Sequence, residues 1–182
     1  MVLKEKDKKT LIEIIKSTIQ SGLDGRTAPD FEIESEILKE KRGAFVTFKK
    51  DGCLRGCIGY IEAKQPLYKT IEEMAVASEF HDPRFPPLRR DELKYLTLEI
   101  SVLSPLKVIH DIQEIDVGVH GIYIVKNHCS GLLLPQVATE YKWDRLTFLE
   151  ETCCKAGLPP NAWKEKMTRI YIFSADVFGE HW

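Results

Sequence analysis

The run Ala44-Phe45-Val46-Thr47-Phe48-Lys49-Lys50, the pair Asp51-Gly52 and the run Cys53-Leu54-Arg55-Gly56-Cys57-Ile58-Gly59-Tyr60 decide the fold class. Strand-forming residues populate the first run and end the second, and Asp-Gly suits a two-residue type I′ turn because both of its central positions take positive φ. The segment therefore predicts an antiparallel hairpin. An even register carried outward from the turn sets Cys57 opposite Val46 and Arg55 opposite Phe48, on a partly apolar face.

Working outward, Leu67, Ile71, Met74, Ala75 and Ser78 recur at helical spacing behind Pro66, predicting a helix that ends near Phe80. Upstream, Leu11, Ile12, Ile15 and Ile19 mark a helix opened by a Thr10/Glu13 capping-box pattern and stopped at Gly22, with a short helix over 34–41. Downstream, Leu96, Leu98, Ile100 and Val102 alternate with polar residues over 95–103, a half-buried strand ended by Pro105. Strands over 121–126 and 131–134 flank an Asn127-His128 turn. Asp144 caps a helix that turns Leu146, Leu149, Cys153 and Ala156 toward a core, closed by Gly157 and Pro159-Pro160, and 170–173 is the last strand. Helices interleave with hairpin-paired strands, so the expected class is α+β, a mixed, largely antiparallel sheet with packed helices. At 182 residues the chain is read as a single domain over 1–182, or as two interleaved subdomains without a linker.

Composition excludes several functions. Lys and Arg total 26 against 28 Asp and Glu, a net charge of −2 that creates no field for nucleic acid or an anionic bilayer. Five cysteines, an odd number, do not make a secreted disulfide framework. Lys4 to Lys9 read as a solvated helix start, not a signal peptide, and nowhere do about 18 apolar residues run together. The expected location is the cytoplasm, with no membrane contact.

No dinucleotide fingerprint, phosphate-binding loop, GxSxG or HExxH is present, so no cofactor is implied. Cys53 and Cys57 on one strand lie about 13 Å apart, too far to grip one ion together. Cys153 and Cys154 diverge around a helix. No metal site is expected.

The unusual stretch is 54–59. Gly56 and Gly59 inside a strand fit where a backbone or a ligand approaches closely. Arg55 and Cys57 share a strand face, and a guanidinium beside a thiol is how a cysteine becomes a nucleophile. The alternative is that Cys57 packs as a small hydrophobe. The proline-rich loop His81-Asp82-Pro83-Arg84-Phe85-Pro86-Pro87 either displays His81, Asp82 and Arg84 as a pre-formed polar site or merely closes a helix and starts a turn. His120 before a strand, Gln136 at a helix start and Glu99 on a half-buried strand are further candidates, each with a plain structural alternative.

At Leu54-Arg55-Gly56-Cys57-Ile58-Gly59 the chain resembles the AMMECR family, named for the Alport syndrome, midface hypoplasia and elliptocytosis chromosomal region. The likeness runs on in order through Asp82-Pro83-Arg84-Phe85-Pro86-Pro87, Leu98-Glu99-Ile100-Ser101-Val102-Leu103-Ser104-Pro105, His120-Gly121, Gly131-Leu132-Leu133-Leu134-Pro135-Gln136-Val137-Ala138, Trp143, Phe148-Leu149 and Lys155-Ala156-Gly157-Leu158, over 43–178. The resemblance implies an α+β protein with a larger and a smaller subdomain, and puts the functional segment on 54–59 with Cys57 at its centre. It also implies a modification pathway, because the prokaryotic family is similar to one part of a proposed three-part system with a Memo-like protein and a radical SAM protein. It names no reaction.

Two functions follow. One is an enzyme or enzyme component whose cleft gathers Cys57 as thiolate, Arg55 as charge partner and His81 or Glu99 as proton carrier, with Gly56, Gly59, Asp82, Arg84, His120 and Gln136 binding ligand. The other is a non-catalytic binding or adaptor module for a partner protein, or for nucleic acid, which the acidic balance disfavours.

Overall fold

The computed structural model describes residues 3–62 and 64–182. The fold is α+β, and every strand pairing given below is antiparallel. The chain divides into two compact units, Met1–Leu103 with Asp176–Trp182, and Ser104–Ala175.

In the first unit, α1 (Glu5–Leu23), a short α2 (Glu36–Lys39) and α3 (Leu67–Phe80) accompany strands β1 (Ala44–Lys50), β2 (Cys53–Tyr60) and β3 (Leu96–Leu103). Strand β1 lies between β2 and β3, which leaves β2 at the edge, and the end of β7 (Arg169–His181) follows β3. Ala44, Val46 and Phe48 of β1 and Leu98, Ile100 and Val102 of β3 face a core shared with Leu11, Ile15 and Ile19 of α1 and Leu67, Ile71 and Met74 of α3. Because side chains alternate along a strand, Thr47, Lys49 and Glu99 lie on the opposite face.

The Asp51-Gly52 turn forms as expected, with φ of 50° and 80°. The register is not the expected one. Lys50 pairs with Cys53 and Lys49 with Leu54, but Phe48 then pairs with Gly56 and Thr47 with Cys57. Arg55 is the extra residue of a β-bulge, so every position beyond it shifts by one and Cys57 meets Thr47 instead of Val46. Helix α1 also starts earlier than its capping-box pattern suggested, at Glu5, and Thr10 Oγ1 donates to the Lys6 carbonyl inside it.

The second unit holds β4 (Lys107–Ile109), β5 (His120–Lys126), β6 (Cys129–Leu133), the beginning of β7, α4 (Pro135–Glu140) and α5 (Arg145–Lys155). Strand β5 lies between β6 and β7, and β4 pairs with the other side of β7. Asp144 Oδ1 accepts the Thr147 N–H and caps α5. The buried stripe of α5 is Phe148, Leu149, Thr152 and Cys153, which puts Leu146 at its margin, 48% exposed, rather than in the core. Gly131 lets β6 close on α5, since a Cβ there would stand 2.4 Å from the Ala156 nitrogen. Strand β7 runs to His181, well beyond the 170–173 read from periodicity. Among the described residues, no helix is long and apolar enough to cross a membrane.

Candidate functional site

The edge strand β2 carries Cys57, and the loop after α3 holds it in place. The backbone N–H of Cys57 donates to Asp82 Oδ2 at 3.1 Å, and its carbonyl accepts from Arg84 Nη2 at 3.0 Å. Both main-chain groups therefore point away from β1, which makes Thr47 and Cys57 a non-hydrogen-bonded cross-strand pair with closely set side chains. The Thr47 hydroxyl accordingly reaches Cys57 Sγ at 3.1 Å. Thr47 is buried and Cys57 half-buried.

Asp82 and Arg84 form a fork-on-fork pair, with Nε to Oδ1 at 2.9 Å and Nη2 to Oδ2 at 2.7 Å, while the Arg84 backbone N–H also donates to Oδ1. The guanidinium and the backbone donors of Cys57 and Arg84 hold the Asp82 carboxyl well below the usual carboxylate range. Asp82 therefore stabilises the fold above the ordinary aspartate pKa of 3.8, and that stability is lost as pH falls through its lower native value.

Arg55, at the bulge, turns its buried guanidinium to Glu92 (Nε to Oε1 3.3 Å, Nη2 to Oε2 3.2 Å) and to the Pro86 carbonyl at 2.9 Å. Glu92 further accepts from Lys50 Nζ and from the Arg89 backbone N–H. Arg55 first, with Lys50 and Arg89, holds the Glu92 carboxyl at about 2 against the cost of its burial. The Phe85 ring centroid lies 5.9 Å from the guanidinium of Arg55 and 5.5 Å from that of Arg84. Arg55 is thus committed to the frame, while the Cys57 sulfur is met by Thr47.

The glycines of 54–59 answer to protein atoms. A Cβ on Gly56 would stand 2.2 Å from the Ser78 carbonyl oxygen, and one on Gly59 2.3 Å from the Phe45 ring. The close approach expected at these positions is made by the end of α3 and by the neighbouring strand.

Of the remaining candidates, Glu99 lies across β1 from Cys57, opposite Thr47, and is ion-paired with Lys49 at 3.0 Å. His81 is the exposed C-cap residue of α3 and lines a separate surface cavity with Thr18, Ala28 and Lys69. Cys57 is not among the residues lining that cavity. His120 belongs to the second unit, where its Nδ1 accepts the Asp116 N–H and closes a turn. Gln136 is the second residue of α4 in that unit, half-buried.

Sequence reading missed three residues: Thr47, Glu92 and Glu79. Glu79 is 1% exposed, and neither of its carboxyl oxygens has a hydrogen-bond partner among the described residues. Nη1 of Arg55 is likewise buried without one. Burial raises the Glu79 pKa to about 8, with Glu92 and Asp82 adding to the rise and Arg55 opposing it. A raised acid favours the native state below its unfolded pKa and ceases to do so as pH climbs through the native value. Urea unfolding should therefore show stability declining from about pH 4.5 to about pH 8, whereas Glu79→Gln, neutral throughout, should flatten that limb. An unchanged limb would show that Glu79 is already ionised. The residue was legible in principle, because Ile71, Ala75 and Glu79 follow the i, i+4 spacing of the buried stripe of α3.

A family model described as AMMECR1 matches residues 12–178. A protein of Methanothermobacter thermautotrophicus is 41% identical, covering 94% of this chain and 93% of the relative. One from Methanosarcina barkeri is 39% identical over 98% of this chain and 93% of its own length. The crystal structure of an uncharacterized protein from Pyrococcus horikoshii is similar with a TM-score of 0.91 and 36% identity, covering 99% of this chain and 94% of that one.

Proposed function

The chain belongs to the AMMECR1 family, and on that premise we propose that it is a component of a modification pathway in which Cys57 Sγ serves as the covalent handle. One observation carries the reading. The Cys57 peptide is gripped through both its N–H and its carbonyl by the Asp82–Arg84 pair, while the thiol stays half-buried on the helix-free face of β2, oriented by the Thr47 hydroxyl. A thiol that must meet an incoming group repeatedly needs a fixed backbone and an open side. Glu99, two strands away and ion-paired with Lys49, is left outside this scheme, and Arg55, Gly56, Gly59, Asp82 and Arg84 are the frame. The partners proposed, on the family resemblance alone, are a Memo-like protein and a radical SAM protein.

Alkylation of the native chain by iodoacetamide, mapped by mass spectrometry, tests the handle. Cys57 should be modified at least as fast as the exposed Cys53 and Cys154. Modification of Cys57 only in denaturant would overturn the proposal.

A second reading has its own support. Among the described residues Cys57 Sγ has no His or carboxylate bonded to it, and Arg55, Asp82 and Arg84 are occupied with the frame. That favours a binding or adaptor module, and capture of one partner protein with equal affinity by wild type and Cys57→Ser would select it.

A further inference from the structure

The second unit has a helix-free face that the Cys57 reading does not use. On β5 and β7, Ile122, Ile124, Ile170 and Ile172 belong to that unit's core. The alternate residues Tyr123, Val125, Arg169 and Tyr171 therefore share the opposite face. Tyr123 and Tyr171 are direct cross-strand partners, their ring centroids 5.9 Å apart and their planes tilted by 35°. Leu132 and Val108 extend the row on either side. The result is a two-ring aromatic platform with apolar margins.

In the next row Val125 faces Arg169, about 6.8 Å along each strand from the tyrosines. A surface cavity of about 350 Å³ opens there, lined by Val125, Asn127, Lys166, Met167 and Arg169. No carboxylate is in that lining. Lys166 and Arg169 are exposed, and neither has a hydrogen-bond or ion-pair partner among the described residues. The neighbouring Glu165 is occupied by Lys126 at 2.6 Å. Two uncompensated cations beside a stacking surface are complementary to a planar ring that carries an anion, and guanidinium and ammonium groups are the usual donors to phosphate.

We propose that this face binds a nucleotide, with its base on the Tyr123–Tyr171 platform and its phosphate in the Lys166–Arg169 cavity. The spacing between the two rows is one that a single ribose spans. A mononucleotide fits better than a strand, because two cations match one phosphate and a chain of net charge −2 has no field to hold a polyanion.

Calorimetric titration of the full chain with adenosine monophosphate, adenosine and inorganic phosphate tests it. The expected result is saturable binding of the monophosphate with a dissociation constant below about 1 mM, and binding at least about tenfold weaker for adenosine or phosphate alone. Arg169→Gln, a substitution of an exposed side chain, should weaken the monophosphate about tenfold and leave adenosine unaffected. Tyr171→Phe should preserve binding and Tyr171→Ser should lose it; where the serine variant fails to fold, the Arg169→Gln and Tyr171→Phe arms still decide. No saturable binding up to about 10 mM monophosphate, or wild-type affinity in Arg169→Gln, overturns the proposal. So does a hexanucleotide or an acidic peptide that displaces the monophosphate at a lower concentration than the monophosphate itself requires.

Discussion

Replacing Glu92 by alanine should destabilise the first unit by about 3–5 kcal/mol in urea unfolding, because it strands the buried Arg55 guanidinium without its carboxylate. The Arg55 side chain is 7% exposed and that of Glu92 15%, so solvent screens the pair little. The loss is a desolvation penalty more than a lost attraction, which gives a second, sharper expectation. The double variant Arg55→Met with Glu92→Leu removes both charges and should cost less than Glu92→Ala alone. Glu79 would stay protonated in it, since Arg55 is the neighbour that opposes its raised pKa. If the double variant proves the less stable one, the Arg55–Glu92 pair contributes net attraction.

Gly56→Ala is the other large effect. The new methyl would meet the Ser78 carbonyl oxygen at 2.2 Å, and main-chain atoms of a helix end cannot rotate out of the way as a side chain can. Overpacking typically costs about 1–3 kcal/mol and occasionally more, and so close a main-chain clash belongs at the upper end. Relief requires β2 to shift away from α3, which would pull Cys57 from Asp82. The variant should therefore unfold at lower urea and also alkylate differently at Cys57; wild-type behaviour in both would show that the edge strand has slack.

The fold was legible where pattern and chemistry agreed. Asp51-Gly52 specified its turn through the backbone alone, and the apolar alternation of Leu96, Leu98, Ile100 and Val102 specified a strand. The register was not legible beyond Arg55, because Gly56 could signal either a bulge or a close approach, and only the pairing with β1 shows that both hold there. The short β4 carries too few residues for any period to emerge. At the site, Cys57, Arg55, Asp82 and Arg84 stood out by type and setting. Their division of labour did not, since Arg55 and Cys57 seemed to share a face and the structure instead commits Arg55 to Glu92 and Pro86, and leaves the Cys57 sulfur to Thr47. Glu92 looks like an ordinary surface charge in sequence and acquires meaning only from what the fold places around it, whereas Glu79 stands in line with the buried stripe of α3.

The grip of Asp82 and Arg84 on the Cys57 peptide has a bearing on how copies of the protein behave in solution. An outer strand offers bare donors and acceptors that a like strand from another molecule can match. Here one carboxylate and one guanidinium occupy that position, imitating the hydrogen bonds of an absent strand with side chains too charged and too short to propagate a sheet. The same ion pair that steadies the thiol thus discourages sheet-to-sheet polymerisation, and acid strong enough to protonate Asp82 would remove both safeguards together.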